Sequence, residues 1–288
     1  MRVLQKHCLS FVQVLGVRMD KLTGRSKLAF DDIGTGEPAL LLLPGWCADR
    51  GILAALADLL GKKRRVINID LLGHSESGRP DGDFGSEDIV HEALMLVDSL
   101  GLNEFITLSV AHAGWIAVEL RRRLVHRLPK MVFLDWIIIE PPPIFFETLE
   151  KMQQPEQWQS ARDALFVGWS LGDPNLAKPF YEFMTNYDFD MWSRAGQEID
   201  RSYREFGSAL RVLETLSPAP KVLNLYSPTQ AANLYARGDD SSYFEAQQSF
   251  AKNYPWFHFR RLSSKSHLPS VEVTQEVADV IESFIANS

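Results

Sequence analysis

From residue 39 onward, short apolar runs alternate with longer stretches of helical periodicity, and that rhythm admits few architectures. Residues 39–43 (ALLLL), 65–70 (RVINID), 104–109, 130–135, 221–226 and 257–262 read as strands. Residues 51–61, 86–100, 112–126, 241–253 and 270–286 read as helices. A strand with no polar face must be covered on both sides, and strands separated by helices pair in parallel. The pattern therefore predicts an α/β protein whose mostly parallel sheet carries helices on both faces. Ahead of it, 9–17 and 27–32 read as two strands joined by a Gly-containing turn. A chain of 288 residues can bury one large core.

The rhythm breaks once. From EPPPIFF (Glu140 to Phe146) to about residue 214 the chain is helical and aromatic, without a strand-like run. Helices inserted between sheet elements suit a cap over an active site. The expected organisation is a core of residues 1–140 and 215–288 with a helical cap subdomain of 141–214. The alternative is a helical block packed on a sheet edge.

Composition removes several classes of function. A net charge of −7 and an isoelectric point near 5.5 argue against nucleic-acid binding, which needs a concentrated basic surface. The basic run ELRRRLVHR (Glu119 to Arg127) closes a predicted helix and reads as a solvated face suited to the dipole's negative end. No stretch of about 18 apolar residues marks a membrane span, and polar interruptions at the N-terminus argue against a signal peptide. The two cysteines, Cys8 and Cys47, make no disulfide framework, and no CxxC or HExxH predicts zinc. A cytoplasmic protein without metal is expected. GTGEPA (Gly34 to Ala39) matches a dinucleotide fingerprint, but it precedes a strand and opens no helix, so it cannot cradle a pyrophosphate.

Four segments agree on where chemistry sits. LLLLPGWC (Leu40 to Cys47) is a buried strand ending in a tight turn, a usual source of an oxyanion-binding amide. DLLGHSESG (Asp70 to Gly78) resembles the D-x-x-G-x-x-S loop that follows the next strand. ITLSVAHAGW (Ile106 to Trp115) has the small residues of a nucleophile elbow, but its nucleophile position holds Ala111. SKSHLP places His267 after the last strand, where a catalytic base belongs. Their order and spacing predict the α/β-hydrolase fold.

The usual acid position, in VLNLYSPTQ (Val222 to Gln230), has no carboxylate. Asp135, in MVFLDWIII, is the better candidate, because an Asp between Leu134 and Trp136 is costly to bury without a partner, and an imidazole supplies one. A structural Asp bonding local amides is the alternative, and Asp239 and Asp240 are fallback candidates. His74 is expected to shape its loop, and Cys47 has no adjacent cation to activate it. Trp46, Trp136, Trp169 and Trp192 lie in or beside these segments and suggest a flat, apolar pocket.

PGWC, HAGW, LDW before a Pro-rich stretch, FVGWSLGD, YDFDMWSRAG, YPWFHF and SHLP resemble the cofactor-independent 3-hydroxy-4-quinolone 2,4-dioxygenases of the α/β-hydrolase fold. The resemblance runs from about residue 39 to the C-terminus. It implies a His267–Asp135 dyad that deprotonates the substrate's 3-hydroxyl, after which the anion reacts with O2 and the ring opens with loss of carbon monoxide, without metal or flavin. It also implies that the amides of Trp46 and His112, beside Ala111, hold substrate oxygen, and that Trp169 contacts the ring. The elbow serine is not the nucleophile of that reaction, so Ala111 is compatible with it. The sequence departs from the pattern where Ala48 and Val110 replace histidines. Two alternatives follow from the same residues: a lyase, cyclase or isomerase that uses the dyad without oxygen, and a non-catalytic binder of a small molecule. A serine esterase is the reading Ala111 argues against most, since alanine cannot attack a carbonyl or form an acyl-enzyme.

Overall fold

The computed structural model describes residues 26–235 and 238–287, and the run 9–17 lies outside them. The strands are β1 (Phe30–Ile33), β2 (Ala39–Leu43), β3 (Val66–Ile69), β4 (Phe105–Val110), β5 (Lys130–Leu134), β6 (Lys221–Tyr226) and β7 (Phe257–Arg261). They form one sheet in the order β1-β3-β2-β4-β5-β6-β7. β1 runs antiparallel to β3, and every other pairing is parallel. Every residue of β2, β3, β4 and β5 is buried, as expected of predominantly apolar strands covered on both faces, and the few polar residues among them, such as Asn68 and Thr107, are buried too.

Four helices follow strands β2 to β5: α1 (Gly51–Gly61), α2 (Ser86–Ser99), α3 (Gly114–Arg123) and α4 (Pro143–Met152). Then come α5 (Trp158–Ser170), α6 (Pro174–Met184), α7 (Phe189–Phe206) and α8 (Ala209–Leu213), so that α4 to α8 all lie between the neighbouring strands β5 and β6. α9 (Pro228–Leu234) and α10 (Ser241–Asn253) separate β6 from β7, and α11 (Pro269–Glu272) and α12 (Thr274–Ala286) close the described chain. α1 packs on α12, α2 on α3, and α4 on α7. Among the described residues no helix is long and apolar enough to cross a membrane.

Three expected elements differ, each for a local reason. The strand expected at 27–32 begins only at Phe30, because the Lys27 and Ala29 amides donate to the Glu92 carboxylate and the Ser77 hydroxyl rather than to a neighbouring strand. The helix expected at 112–126 starts with a 3-10 turn, Ala111–Ala113, and ends at Arg123, after which Leu124 leaves the helical region. The basic run closing it is not wholly solvated: Arg121 is 3% exposed and donates to the carbonyls of Val125 and Pro218. The helix expected at 270–286 is broken at Val273, whose φ and ψ of −131° and 45° separate α11 from α12.

Candidate active site

The site is built where the C-terminal ends of β2, β4 and β5 meet the loops that follow them. At the end of β4 the backbone turns abruptly: Val110 is extended, Ala111 has a φ of +47°, and the 3-10 turn leads straight into α3. A left-handed conformation costs a residue with a Cβ about 1–2 kcal/mol. Ala111 keeps that conformation although it carries no nucleophilic atom. The turn closes tightly because position 114 is glycine; a methyl there would overlap the Trp136 indole.

Asp135, one residue beyond β5, is also left-handed, with a φ of +55°. Its amide still donates to the Leu225 carbonyl at 2.7 Å, so the β5–β6 ladder extends past the strand while the side chain leaves its course. The carboxylate is buried and each oxygen has a partner: Oδ2 is 2.6 Å from His267 Nδ1, and Oδ1 accepts from the Ser227 amide at 2.8 Å. A carboxylate so placed can orient the imidazole beside it. The His267 amide donates to the Trp169 carbonyl at 3.1 Å, and the Trp169 ring lies 4.9 Å from the imidazole at an interplanar angle of 30°.

The turn after β2 holds a third left-handed residue, Cys47, with a φ of +55°. Its amide donates to His74 Nε2 at 2.9 Å, while His74 Nδ1 lies 3.0 Å from the Leu72 carbonyl. These two contacts assign the tautomer: Nδ1 carries the proton and Nε2 accepts. Burial lowers the His74 pKa to about 4, so the ring stays neutral and can keep accepting. His74 thus shapes two loops at once, its own and the turn that presents Trp46. The Cys47 thiol is buried, and burial, with Asp188 adding to it, raises its pKa well above the ordinary range, which makes it a poor nucleophile.

One cavity joins these parts. Trp46, Ala111, His112, Trp169, Trp192 and His267, all marked by the sequence, line it together, and Asp135 stands behind His267. The two departures, Ala48 and Val110, also line it, so that the wall beside Ala111 is apolar. α4, α5, α6 and α7 supply the remaining wall, including Phe145, Met152, Phe180 and Ile199. Burial, then the charge of His267, lowers the His112 pKa to about 3, leaving this imidazole neutral as well. The Trp192 indole N–H is buried and has no hydrogen-bond partner among the described residues.

Three contributors escaped sequence reasoning. Tyr203, on α7, donates to the Ile137 carbonyl at 2.5 Å, so toward His112 Nδ1, 3.4 Å away, its oxygen can only accept. Ser227 and Gln230 come from the segment set aside for lacking a carboxylate; a Ser-Pro pair opening a helix, with Ser227 accepting from the Gln230 amide, was a readable capping signal. The fallback acids are elsewhere engaged. Asp240 accepts from both Arg261 Nε and Nη2 and from the Tyr226 hydroxyl, and Asp239 caps the amide of Ser241. Among the described residues no group of three or more His, Cys, Asp or Glu could hold a metal ion.

The alpha/beta hydrolase family model matches residues 40–280. The chain is 33% identical over 259 residues to the 2-heptyl-3-hydroxy-4(1H)-quinolone dioxygenase of Mycobacteroides abscessus, covering 88% of this chain and 92% of that one. It is 31% identical over 251 residues to the 1H-3-hydroxy-4-oxoquinoline 2,4-dioxygenase of Pseudomonas putida, covering 86% and 91%. A solved structure of an AqdC variant with its substrate, from work on ring cleavage of the Pseudomonas quinolone signal, superposes with a TM-score of 0.84 at 29% identity, covering 91% of this chain and 97% of that one. The chain belongs to the quinolone 2,4-dioxygenase family of the alpha/beta hydrolases.

Proposed function

We propose that this protein is a cofactor-free dioxygenase that opens the heterocyclic ring of a 3-hydroxy-4-quinolone, with His267 as general base and Asp135 as its orienting carboxylate. The observation that carries this reading is a 2.6 Å His–Asp pair opening on an apolar cavity whose elbow has no nucleophile. His267 Nε2 takes the 3-hydroxyl proton, and the electron-rich anion that remains reacts with O2. Oxygen joins C2 and C4, the bonds from C3 to both carbons break, and C3 leaves as carbon monoxide. The amides of Trp46 and His112 hold substrate oxygen, and the unpartnered Trp192 indole offers a further donor. The Trp169 ring lies against the substrate plane. Residues 141–214 act as a cap whose apolar wall keeps water from the anion. A cytoplasmic location accords with this role, and fractionation of gently lysed cells tests it.

Oxygen uptake and carbon monoxide release are measured with 3-hydroxy-4-quinolone and its 2-heptyl derivative. Uptake above the buffer rate is expected, with a loss of about 100-fold or more in His267→Ala. Product formation without oxygen would instead assign a lyase or isomerase using the same dyad. Saturable binding without turnover, unchanged in His267→Ala, would assign a binder.

A further inference from the structure

The loop after β6 is where this fold was expected to keep its acid, and here the acid has moved to the end of β5. We propose that the vacated loop is a bracket that positions the dyad, with Gln230 as its central residue and Ser227 as its second. The inference rests on the reading of His267 and Asp135 as base and orienting carboxylate.

Gln230 is buried, and both hydrogens of its amide are used. Nε2 donates to the Trp169 carbonyl at 2.9 Å and to the Lys265 carbonyl at 2.8 Å. The Trp169 carbonyl also accepts from the His267 amide at 3.1 Å, so one oxygen near the end of α5 is shared by the base and the bracket. Ser227 works from the other side. Its amide donates to Asp135 Oδ1 at 2.8 Å, its hydroxyl donates to the Ser264 carbonyl at 2.9 Å, and that hydroxyl oxygen accepts from the Gln230 amide at 3.3 Å. Ser227, the N-cap of α9, and Gln230 in its first turn therefore connect the acid, held by the Ser227 backbone amide, with the base loop and the helix that carries Trp169, held by the two side chains. Glu272 holds the same loop from its opposite side, through the amides of Lys265 and Ser266.

The chemistry of the bracket suits its place. A carboxylate in this loop would stand beside Asp135 and oppose its ionisation, whereas a neutral amide supplies two donors and no charge. The acceptors are three backbone carbonyls, those of Trp169, Lys265 and Ser264, and the first of them also accepts from the amide of the base. A base displaced by about 1 Å loses on the order of 100-fold in rate, so securing these carbonyls bears on turnover more than on binding.

The test compares Gln230→Met, which keeps length and removes both donors, with Ser227→Ala, which removes the hydroxyl and keeps the amide bonded to Asp135. In Gln230→Met kcat with a 3-hydroxy-4-quinolone is expected to fall about tenfold or more with KM changed less than about threefold. The downfield proton resonance of the His267–Asp135 pair, read without substrate, is expected to broaden or shift. Ser227→Ala should change the same two readouts in the same direction and by less. A Gln230→Met protein with kcat within about twofold of wild type and an unchanged resonance overturns the proposal. If that variant does not fold, Ser227→Ala decides: unchanged kcat and resonance overturn the proposal, and a shift in both supports it. Absence of turnover by the wild-type protein would reject the dioxygenase reading, while the resonance comparison would still judge the bracket.

Discussion

Gly114 and His74 show how single residues hold the site's backbone in place. A Cβ at position 114 would lie inside the Trp136 indole, which is itself buried beside Asp135. Gly114→Ala is expected to cost about 2 kcal/mol through overpacking, read as a shift in denaturation midpoint, and to lower turnover by displacing the residue next to Asp135. His74 gives a pH-dependent prediction. Its pKa falls on folding from 6.5 to about 4 through burial, so the unfolded chain binds the extra proton first. Its contribution is fully present above pH 6.5 and is lost as pH falls toward 4, amounting to about 3 kcal/mol. Stability measured across this range should fall less steeply in His74→Gln than in the wild type; parallel curves would contradict the assignment. His267, Asp135 and Trp46 could be singled out in the sequence as candidates because each follows a strand at a position this fold uses, whereas Trp169, inside α5, was marked by the family resemblance and its aromatic surroundings. Tyr203 and Gln230 were not, since their partners are backbone carbonyls 66 and 61 residues distant.

Elements meet at the site because a few side chains join their ends. Arg50, at the start of α1, pairs with Asp31 of β1, with Asp70 just after β3 and with Glu76 in the following loop. Asp70 is fully buried, so Arg50→Leu strands a carboxylate and should cost about 3 kcal/mol, measurable by denaturant unfolding. Strand positions were readable to within a few residues because the central strands, buried on both faces, are dominated by apolar residues. Helix limits were not. Val273 and Leu124 end or break helices through backbone angles that no local residue preference marks, and the elbow begins with a 3-10 turn where a continuous helix was expected.

At the scale of the molecule, buried apolar residues from the strands and from α4 to α8 form one contiguous cluster, with Phe133 and Trp136 in it alongside Phe166, Phe180 and Trp192. Polar links reinforce it: Glu198 of α7 accepts from the Ser86 amide at the start of α2, and Arg194 reaches Asp83 and the Phe84 carbonyl. Unfolding is therefore expected to be a single transition, with tryptophan fluorescence and far-ultraviolet circular dichroism changing together. Separate midpoints would show that the helical segment melts independently. The order of strands and helices, the elbow without a nucleophile and the candidate base and acid were determined by the sequence, because periodicity and motif spacing are local properties of the chain. The 2.6 Å contact of His267 with Asp135, the neutral tautomer of His74 and the hydrogen bonds of Ser227 and Gln230 were decided only by the tertiary structure. Each depends on hydrogen bonds between segments far apart in the chain, where direction and distance matter and residue type alone does not specify the partner.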